Sequence, residues 1–190
     1  IVVAANRKAQ EYQLSVSTSF IMDTVIEQKL YGRNSQQAAA EIERRLREYE
    51  QQYSMYLPDS QISRINEQAG KDYTEVSQQC LALLQQAIAV SAQSNGLFDI
   101  TIAPVMDAWG FTGDQFRVPK QSELNELLKH VNSDEIQVQE EPSYSVTLGE
   151  GQAIDLGGIA KGYTSDLVEQ TFRANGIESG KISLGGNVFV

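Results

Sequence analysis

The residues best suited to chemistry stand together at positions 155–162, in the run DLGGIAKG. The pattern predicts a strand that ends at a Gly-Gly pair and is followed by a helix. Glycines let a backbone approach a ligand closely, and the amide groups of a first helical turn favour an anion. Lys161 falls in that turn, where the helix dipole disfavours a cation, so a bound phosphate would explain it. A plain strand–turn–helix with a solvated lysine explains the same residues, and the pattern alone leaves both interpretations open.

Asp155 closes the predicted strand, where its carboxylate could bind a metal ion, a sugar hydroxyl or a base nitrogen. The spacing of the glycines is neither that of a P-loop nor that of a dinucleotide-binding fingerprint. Under the first interpretation, the ligand would therefore be nucleotide-like but bound through neither motif.

Aromatic residues elsewhere could form the wall of a site for a planar ligand. Met55 and Tyr56 are candidates, although a tyrosine that follows an amphipathic helix is more often a core residue with its hydroxyl at the surface. Asp99, which follows Phe98, either faces a pocket or caps a neighbouring turn. Trp109 is either a stacking platform or, more commonly, part of a core.

The single cysteine and the single histidine exclude several kinds of site. One cysteine cannot form a disulfide within the chain, and neither residue type is numerous enough for a multi-Cys or multi-His metal site. Cys80 precedes an apolar helical stripe and is expected to be a buried thiol. His130 is expected at the end of a helix, where a positively charged side chain is favourable.

The composition is that of a globular protein with a core. The 190 residues are 41% hydrophobic and 21% charged, and 25 Asp and Glu against 15 Lys and Arg give a formal charge of -10. A surface this acidic repels phosphate backbones and anionic lipids, so nucleic-acid partners are not expected. No apolar run approaches the roughly 18–20 residues of a transmembrane helix.

Strands are predicted in three parts of the chain. The first 31 residues are expected to be extended, and residues 98–103 to form a strand that Pro104 ends. A hairpin is predicted where residues 136–138 and 144–148 flank the run EEPS. The final residues, ISLGGNVFV, predict a strand, a Gly-Gly turn and a second strand. Domains rarely finish inside such a hairpin, so the chain is expected to be a fragment truncated at its carboxyl end.

Apolar stripes with a spacing of three to four residues predict the helices. The stripe of the first helix is Ala39, Ile42, Leu46, Tyr49 and Tyr53. The predicted N-caps are Ser35, Asp59 or Ser60, Ser77 and Ser122, and a last helix is predicted over residues 159–175. The helix after Ser122 is expected to turn Leu124, Leu127, Leu128 and Val131 inward. Helices and antiparallel strands without strict alternation predict one α+β domain with mixed or antiparallel sheets and packed helices.

Five blocks, in order along the chain, resemble one family. They are FIMDT at 20–24, SMY at 54–56 with SQISRIN at 60–66, GLFDITIAP at 96–104 leading to WGF at 109–111, DLGGIAKG at 155–162, and LGGN at 184–187. Two positions depart from the family pattern: Asp23 stands where glycine is usual, and Gln61 stands where glutamate is common. Any one block is weak alone, whereas five in order form a specific signal. The chain resembles the ApbE-type flavin transferases, which are FAD:protein FMN transferases.

This resemblance implies a T-fold-related α+β architecture with FAD bound in a cleft between two subregions. Carried over position by position, the residues that would contact FAD are Met22, Tyr56, Leu97, Phe98, Asp99, Asp155 and Lys161. The carbonyl of Gly158 would be a ligand of Mg²⁺, and the remaining protein ligands, an aspartate and a threonine, would lie beyond Val190. No catalytic residue is assigned.

The resemblance also implies the reaction. A Ser or Thr hydroxyl of an acceptor protein attacks the pyrophosphate of FAD, FMN becomes attached as a phosphoester, and AMP leaves, with magnesium as the cofactor. Water in place of the hydroxyl would make the protein a magnesium-dependent FAD pyrophosphatase. Two non-enzymatic functions also stay open: a flavin-trafficking protein that only holds FAD, and a structural domain in which the Gly-Gly pair is a tight turn.

Bacterial proteins of this family work outside the cytoplasmic membrane, often as lipoproteins, so the resemblance implies an extracytoplasmic, membrane-associated location. The expected partners are FAD and an acceptor flavoprotein, and a homodimer is one candidate assembly. The 190-residue chain alone is expected to bind flavin weakly and neither to transfer FMN nor to hydrolyse FAD, because a carboxylate ligand of magnesium would be missing.

Overall fold

The structure, a computed structural model, describes residues 12–111 and 116–190. It is α+β with antiparallel sheets and packed helices, which confirms the predicted fold class. Its contacts form two compact units: the described part of Ile1–Arg47 together with Thr164–Val190, and Glu48–Tyr163. The single domain expected from the sequence stays a prediction, because compact units of one chain can belong to one domain.

The described residues contain six α-helices, seven strands and three short 3₁₀-helices. The α-helices are α1 (Ser35–Tyr53), α2 (Gln61–Glu67), α3 (Gln78–Gln93), α4 (Ala103–Trp109), α5 (Gln121–Leu127) and α6 (Ala160–Ala174). The strands are β1 (Gln13–Ile21), β2 (Thr24–Gly32), β3 (Thr74–Glu75), β4 (Gln137–Gln139), β5 (Ser145–Thr147), β6 (Ile177–Leu184) and β7 (Asn187–Phe189). The 3₁₀-helices are Ile100–Ile102, Leu128–His130 and Ser133–Glu135. None of the helices in these residues is both long and apolar enough to cross a membrane.

The first unit is a four-stranded antiparallel sheet, in the order β1-β2-β6-β7, packed against α1 and α6. Side chains alternate along β2: Ile26 and Leu30 are fully buried, whereas Val25 and Tyr31 are exposed. One face of the sheet therefore builds the core, as the pleat of a strand requires. The core residues of this unit are Ile21, Ile26, Leu30, Ala38, Ala39, Ile42, Leu46, Val168, Phe172, Ile182 and Leu184.

A two-residue turn joins β1 to β2. Ile21 pairs with Thr24, and the two residues between them, Met22 and Asp23, have φ angles of 56° and 53°. Positive φ at both central residues is what a type I′ hairpin turn requires. The extended structure expected over the first 31 residues is confirmed by β1 and β2 and is interrupted at this turn, and its part at residues 1–11 lies outside the described residues.

The hairpin of β6 and β7 confirms the predicted strand, Gly-Gly turn and strand. Gly185 has a φ of 58°, and a Cβ atom built on it would lie 2.3 Å from Oγ1 of Thr24. Its amide also donates to the carbonyl oxygen of Val25 at 3.3 Å. Only glycine fits this approach, and the two turns of the first unit lie next to each other as a result.

The second unit contains α2, α3 and α4 and a small sheet in the order β3-β5-β4. The antiparallel pair β4 and β5 is the predicted hairpin. Ser60 and Ser77 cap α2 and α3 as predicted, since their Oγ atoms accept from the amides of Ser63 at 2.9 Å and Cys80 at 3.1 Å. These caps satisfy amides that a helix start leaves unpaired.

Residues 98–103 do not form the predicted strand. The carboxylate of Asp99 accepts from the amide and the hydroxyl of Thr101, at 2.8 and 2.6 Å, and this cap begins the 3₁₀-helix Ile100–Ile102. Pro104 then lies in the first turn of α4 rather than after a strand. A proline suits that position because the first amides of a helix have no partner within it.

Three smaller predictions are also wrong. Residues 153–156 form no strand. Ser35 is the first residue of α1 and not a side-chain cap, because its buried Oγ has no hydrogen-bond partner among the described residues. At α5 the N-cap is Lys120 rather than Ser122, and no side chain of the helix that follows is buried. Leu128, expected to face inward, is 49% exposed.

Candidate functional site

The candidate site is centred on the loop of residues 153–159, which directly precedes α6. The amide of Asp155 donates to the carbonyl oxygen of Ile100 at 2.8 Å, and the amide of Gly157 donates to Oδ1 of Asp155 at 2.8 Å. Ile154 and Leu156 are buried on either side of the partly exposed Asp155. The loop thus keeps the burial alternation of a strand, although no strand of the described residues pairs with it.

Asn66, near the end of α2, holds this loop and was not among the predicted site residues. Its Oδ1 accepts from the amide of Ile154 at 2.8 Å, and its Nδ2 donates to the carbonyl oxygen of the same residue at 3.0 Å. The sequence carries one signal for it. Asn66 follows Ile62 by four residues and Ile65 by one, so a polar side chain falls on the buried face of α2, where an amide needs partners.

Phe98 lies against the Gly-Gly pair. A Cβ atom built on Gly158 would come within 3.0 Å of Cε2 of the Phe98 ring, so the ring occupies the space that a side chain at 158 would need. The amide of Phe98 donates to Oγ of Ser94 at 3.0 Å. The neighbouring Leu97 is 93% exposed. The structure therefore brings two of the predicted positions, 98 and 158, into contact.

Asp99 serves the fold through its carboxylate. Besides its two bonds to Thr101, it accepts from the amide of Ser133 at 3.0 Å through Oδ2. The hydroxyl of Thr101 in turn accepts from the amide of Asn132 at 2.8 Å. Of the two interpretations open from the sequence, the structure supports the cap. A contact between this carboxylate and FAD stays a prediction.

Lys161 occupies the first turn of α6, as predicted, and its side chain is partly buried. The helix begins at Ala160, whose amide donates to the carbonyl oxygen of Leu156 at 2.8 Å. The loop that carries Asp155 therefore leads without interruption into the positive end of a helix dipole, next to a lysine. Both features favour a negatively charged ligand.

Tyr56 is 48% exposed, so its interpretation as a core residue is wrong. It lines an open cleft of about 430 Å³. The cleft is bordered by Met55, Tyr56, Pro58, Ser63, Asn66, Glu67, Asp107 and Ala153. Asn66 lines this cleft and also bonds to the loop, and Ala153 lines the cleft and is itself a loop residue. The aromatic ring of Tyr56 and the Asp155 loop therefore lie in one region of the second unit.

Met22 is the one predicted site residue that lies in the first unit. It is partly buried at the turn between β1 and β2, with a φ of 56°. A positive φ is uncommon for a residue with a long side chain and costs conformational energy. The type I′ turn accounts for this conformation, so a contact between Met22 and FAD stays a prediction.

Residues 22–190 match the model of the family described as the ApbE family. The chain belongs to the ApbE family. Two curated relatives, both named FAD:protein FMN transferase, are each 32% identical to it: one from Vibrio cholerae over 82% of this chain, and one from Klebsiella pneumoniae over 90%. The chain spans 46% and 54% of these two proteins, about half of their length. The resemblance inferred from the five sequence blocks is confirmed.

Solved structures of the ApbE family share the fold. The ApbE protein from Thermotoga maritima superposes with a TM-score of 0.86 at 27% identity, over 93% of this chain and 58% of that one. The flavin transferase ApbE from Vibrio cholerae gives a TM-score of 0.82 at 27% identity, over 94% of this chain and 59% of that one. These matches confirm the ApbE-like architecture predicted from the sequence.

The described residues offer no cluster of acidic, histidine or cysteine side chains for a metal ion. Magnesium requires six oxygen ligands in near-octahedral geometry. Among the residues that the structure describes, no group of three or more His, Cys, Asp or Glu could hold a metal ion. The carbonyl of Gly158 would supply one oxygen of the six, so any ion would depend on donors from elsewhere.

The remaining sequence candidates have structural roles. Cys80 is fully buried in α3, as predicted, and burial raises the pKa of its thiol to about 12. His130 ends the 3₁₀-helix Leu128–His130, where its Nδ1 lies 3.1 Å from the carbonyl oxygen of Glu150. Trp109 is partly buried and stacks on Phe111, with the ring centroids 6.0 Å apart. None of these contacts involves the Asp155 loop.

Proposed function

We propose that this protein is a flavin transferase, which moves FMN from FAD to a Ser or Thr hydroxyl of an acceptor protein and releases AMP. Support comes from the family and from the relatives, which are named FAD:protein FMN transferase. The chain spans about half of those proteins, so the activity is proposed for the complete protein that contains it.

The observation that carries the proposal is the exposed Gly157–Gly158 backbone, which lies against Phe98 and leads directly into the first turn of α6. Backbone without side chains can approach a pyrophosphate closely, and the helix start with Lys161 would neutralise part of its charge. The exposed ring of Tyr56 would pack against a planar part of FAD. Leu97, Asp155 and Met22 are the other proposed contacts.

The chemistry is a phosphoryl transfer. The hydroxyl oxygen of the acceptor forms a bond to the phosphorus of the FMN half, the bond from that phosphorus to the bridging oxygen breaks, and AMP leaves with this oxygen. The hydroxyl proton passes to a base, for which no residue is assigned. Such reactions depend on positioning and charge neutralisation more than on a covalent enzyme intermediate. Positioning and neutralisation are what the loop and Lys161 would provide.

Magnesium dependence is part of the proposal, although the described residues contain no group of three or more His, Cys, Asp or Glu that could hold a metal ion. The ion would supply charge neutralisation at the pyrophosphate. The carbonyl of Gly158 is the proposed ligand from this part of the chain, and the phosphates of FAD are further oxygen donors. We also propose, from the family resemblance alone, an extracytoplasmic, membrane-associated lipoprotein and a homodimer.

The test combines the complete protein with FAD, Mg²⁺ and a flavin-free acceptor flavoprotein. Transferase activity predicts AMP in equal amount to acceptor that gains FMN by mass spectrometry, and no gain when the acceptor's Ser or Thr is replaced by alanine. AMP and free FMN without any acceptor would instead indicate an FAD pyrophosphatase. FAD binding without AMP, with an authentic acceptor and magnesium present, would indicate a flavin-holding protein and overturn the proposal.

A further inference from the structure

The carboxamide of Asn66 makes the two backbone hydrogen bonds to Ile154 that a neighbouring strand would make in a sheet. Its two atoms satisfy both backbone hydrogen-bonding groups of Ile154, at 2.8 and 3.0 Å, across 88 positions of sequence. Ile154 is fully buried, so neither of its backbone groups can rely on bulk water for a partner. Buried backbone groups are nearly always paired, and here one side chain pairs both.

Three links fix the loop residue by residue. Asn66 holds Ile154, the carbonyl of Ile100 holds the amide of Asp155, and the carboxylate of Asp155 holds the amide of Gly157. Only the first of these links uses a side chain from a distant helix. Loss of that side chain would leave both backbone groups of Ile154 unsatisfied, directly before Asp155.

We propose that Asn66 is a positioning residue for FAD: its carboxamide sets the path of Ile154 and thereby places Asp155 and the Gly-Gly backbone for the ligand. This inference rests on the proposed function. Asn66 also borders the cleft of Tyr56, so the same side chain joins the aromatic wall to the loop. It need not touch the reacting phosphorus to affect affinity.

The first test is the FAD affinity of Asn66→Ala and Asn66→Asp in the complete protein, measured by flavin fluorescence on folded samples. We expect the dissociation constant to rise roughly 5- to 30-fold in both variants at pH 8, the range of one to two lost net hydrogen bonds. Asn125→Ala is the matched control, because the carboxamide of Asn125 lies on the exposed surface of α5, where it accepts from Gln121. Its affinity should equal that of the wild type.

The pH dependence of Asn66→Asp separates positioning from general destabilisation. An ionised carboxylate can accept from the amide of Ile154 but repels its carbonyl oxygen, whereas a protonated one can also donate to it. Glu67 and Asp107 at the cleft and Asp155 along the chain raise the pKa of the introduced carboxyl, as does the partial burial of position 66. The cations of this region, Arg64 on α2 and Lys71 bonded to the carbonyl of Glu67, act in the opposite direction but are exposed to solvent. Protonation as the pH falls towards about 5 should restore much of the affinity relative to the wild type at the same pH.

Asn66→Ala should show no such recovery, because it has no group to protonate. Equal affinity of all folded variants and the wild type at every pH would overturn the inference and leave the proposed function intact. Failure of the wild type itself to bind FAD would instead overturn the proposed function. If Asn66→Ala does not fold, the pH dependence of Asn66→Asp decides alone. An FAD affinity of Asn66→Asp that keeps the same ratio to that of the wild type at every pH would overturn the positioning role of Asn66.

Discussion

The sheet of the first unit and the loop at 153–159 of the second unit both bury alternate side chains. They differ in what pairs with their backbone groups. In the sheet, β2 pairs with β1 on one side and β6 on the other, and Ile26 and Leu30 fall into the core. In the loop, Ile154 is just as buried, but its partner is the side chain of Asn66. One region is held by strands, the other by a few single hydrogen bonds.

The difference matters for function. A sheet with a continuous apolar core resists local change, whereas a loop fixed by single bonds depends on each of those bonds for the position of its backbone. Substitutions in the sheet should therefore lower the free energy of unfolding, and substitutions at the loop should lower ligand affinity.

Leu30→Ala should have the largest effect. The side chain is 0% exposed in the core of the first unit, and removal of such a residue costs about 2–5 kcal/mol of unfolding free energy. Urea denaturation followed by circular dichroism measures it. Lys29→Ala, one position along on the opposite, exposed face, is the control and should cost less than about 1 kcal/mol. Equal losses would show that the two faces of the sheet do not differ as described.

In the complete protein, Lys161→Ala should reduce the free energy of FAD binding by about 1–3 kcal/mol, because a charge-assisted contact to a phosphate would be lost. The free energy of unfolding should change little, since the residue is only partly buried. Isothermal titration measures the affinity. Lys129→Ala removes an exposed lysine of the same unit, which pairs with Glu126, and should leave affinity unchanged. Unchanged affinity in Lys161→Ala as well would refute the phosphate assignment.

Tyr56→Ala should weaken FAD binding by about 1–3 kcal/mol through lost ring contact, while Tyr56→Phe keeps the ring and should stay near the wild type. Because the residue is 48% exposed, neither variant should lower the melting temperature of the ligand-free protein. Affinity and ligand-free melting are measured on the same samples. A lower melting temperature with unaltered affinity would contradict the placement of Tyr56 in a ligand site.

Asp23→Gly should have the smallest effect, a gain of up to about 1 kcal/mol in unfolding free energy, because glycine adopts positive φ without steric cost. Asp23 has a φ of 53° at the second central position of the turn between β1 and β2. Asn95→Gly is the matched variant in the second unit, at a φ of 54°. Asparagine tolerates this conformation better, so its gain should be smaller. A clear loss of stability in Asp23→Gly would mean that the carboxylate contributes more than the strain costs.

The sequence predicts the two regions unequally well. The helical stripe of α1 is confirmed in full, with Ala39, Ile42, Leu46, Tyr49 and Tyr53 all buried. The Gly-Gly turn of β6 and β7 is confirmed as well. Both follow from local rules, namely a helical period and turn chemistry, which need no knowledge of distant residues.

The candidate site is predicted only in part, because distant side chains build it. The motif singles out the loop before α6, and the structure brings Phe98 to Gly158. No periodicity in the sequence indicates that the carboxamide of Asn66 bonds to both backbone groups of Ile154. The β-branched run at 100–102 favours a strand by propensity, and the cap of Asp99 overrides that propensity. Pro104 fits a strand end and a helix start equally well, and only the cap before it distinguishes them.

The most direct test of a flavin site built on the Asp155 loop is amide hydrogen exchange of the complete protein with and without saturating FAD, read by mass spectrometry. The account predicts slower exchange with FAD at residues 155–161, around Tyr56, at 97–99 and at the Met22–Asp23 turn, with no change in the paired strands β1 and β2 away from that turn. Unchanged exchange at 155–161 under saturating FAD, or protection confined to the strands, would contradict it.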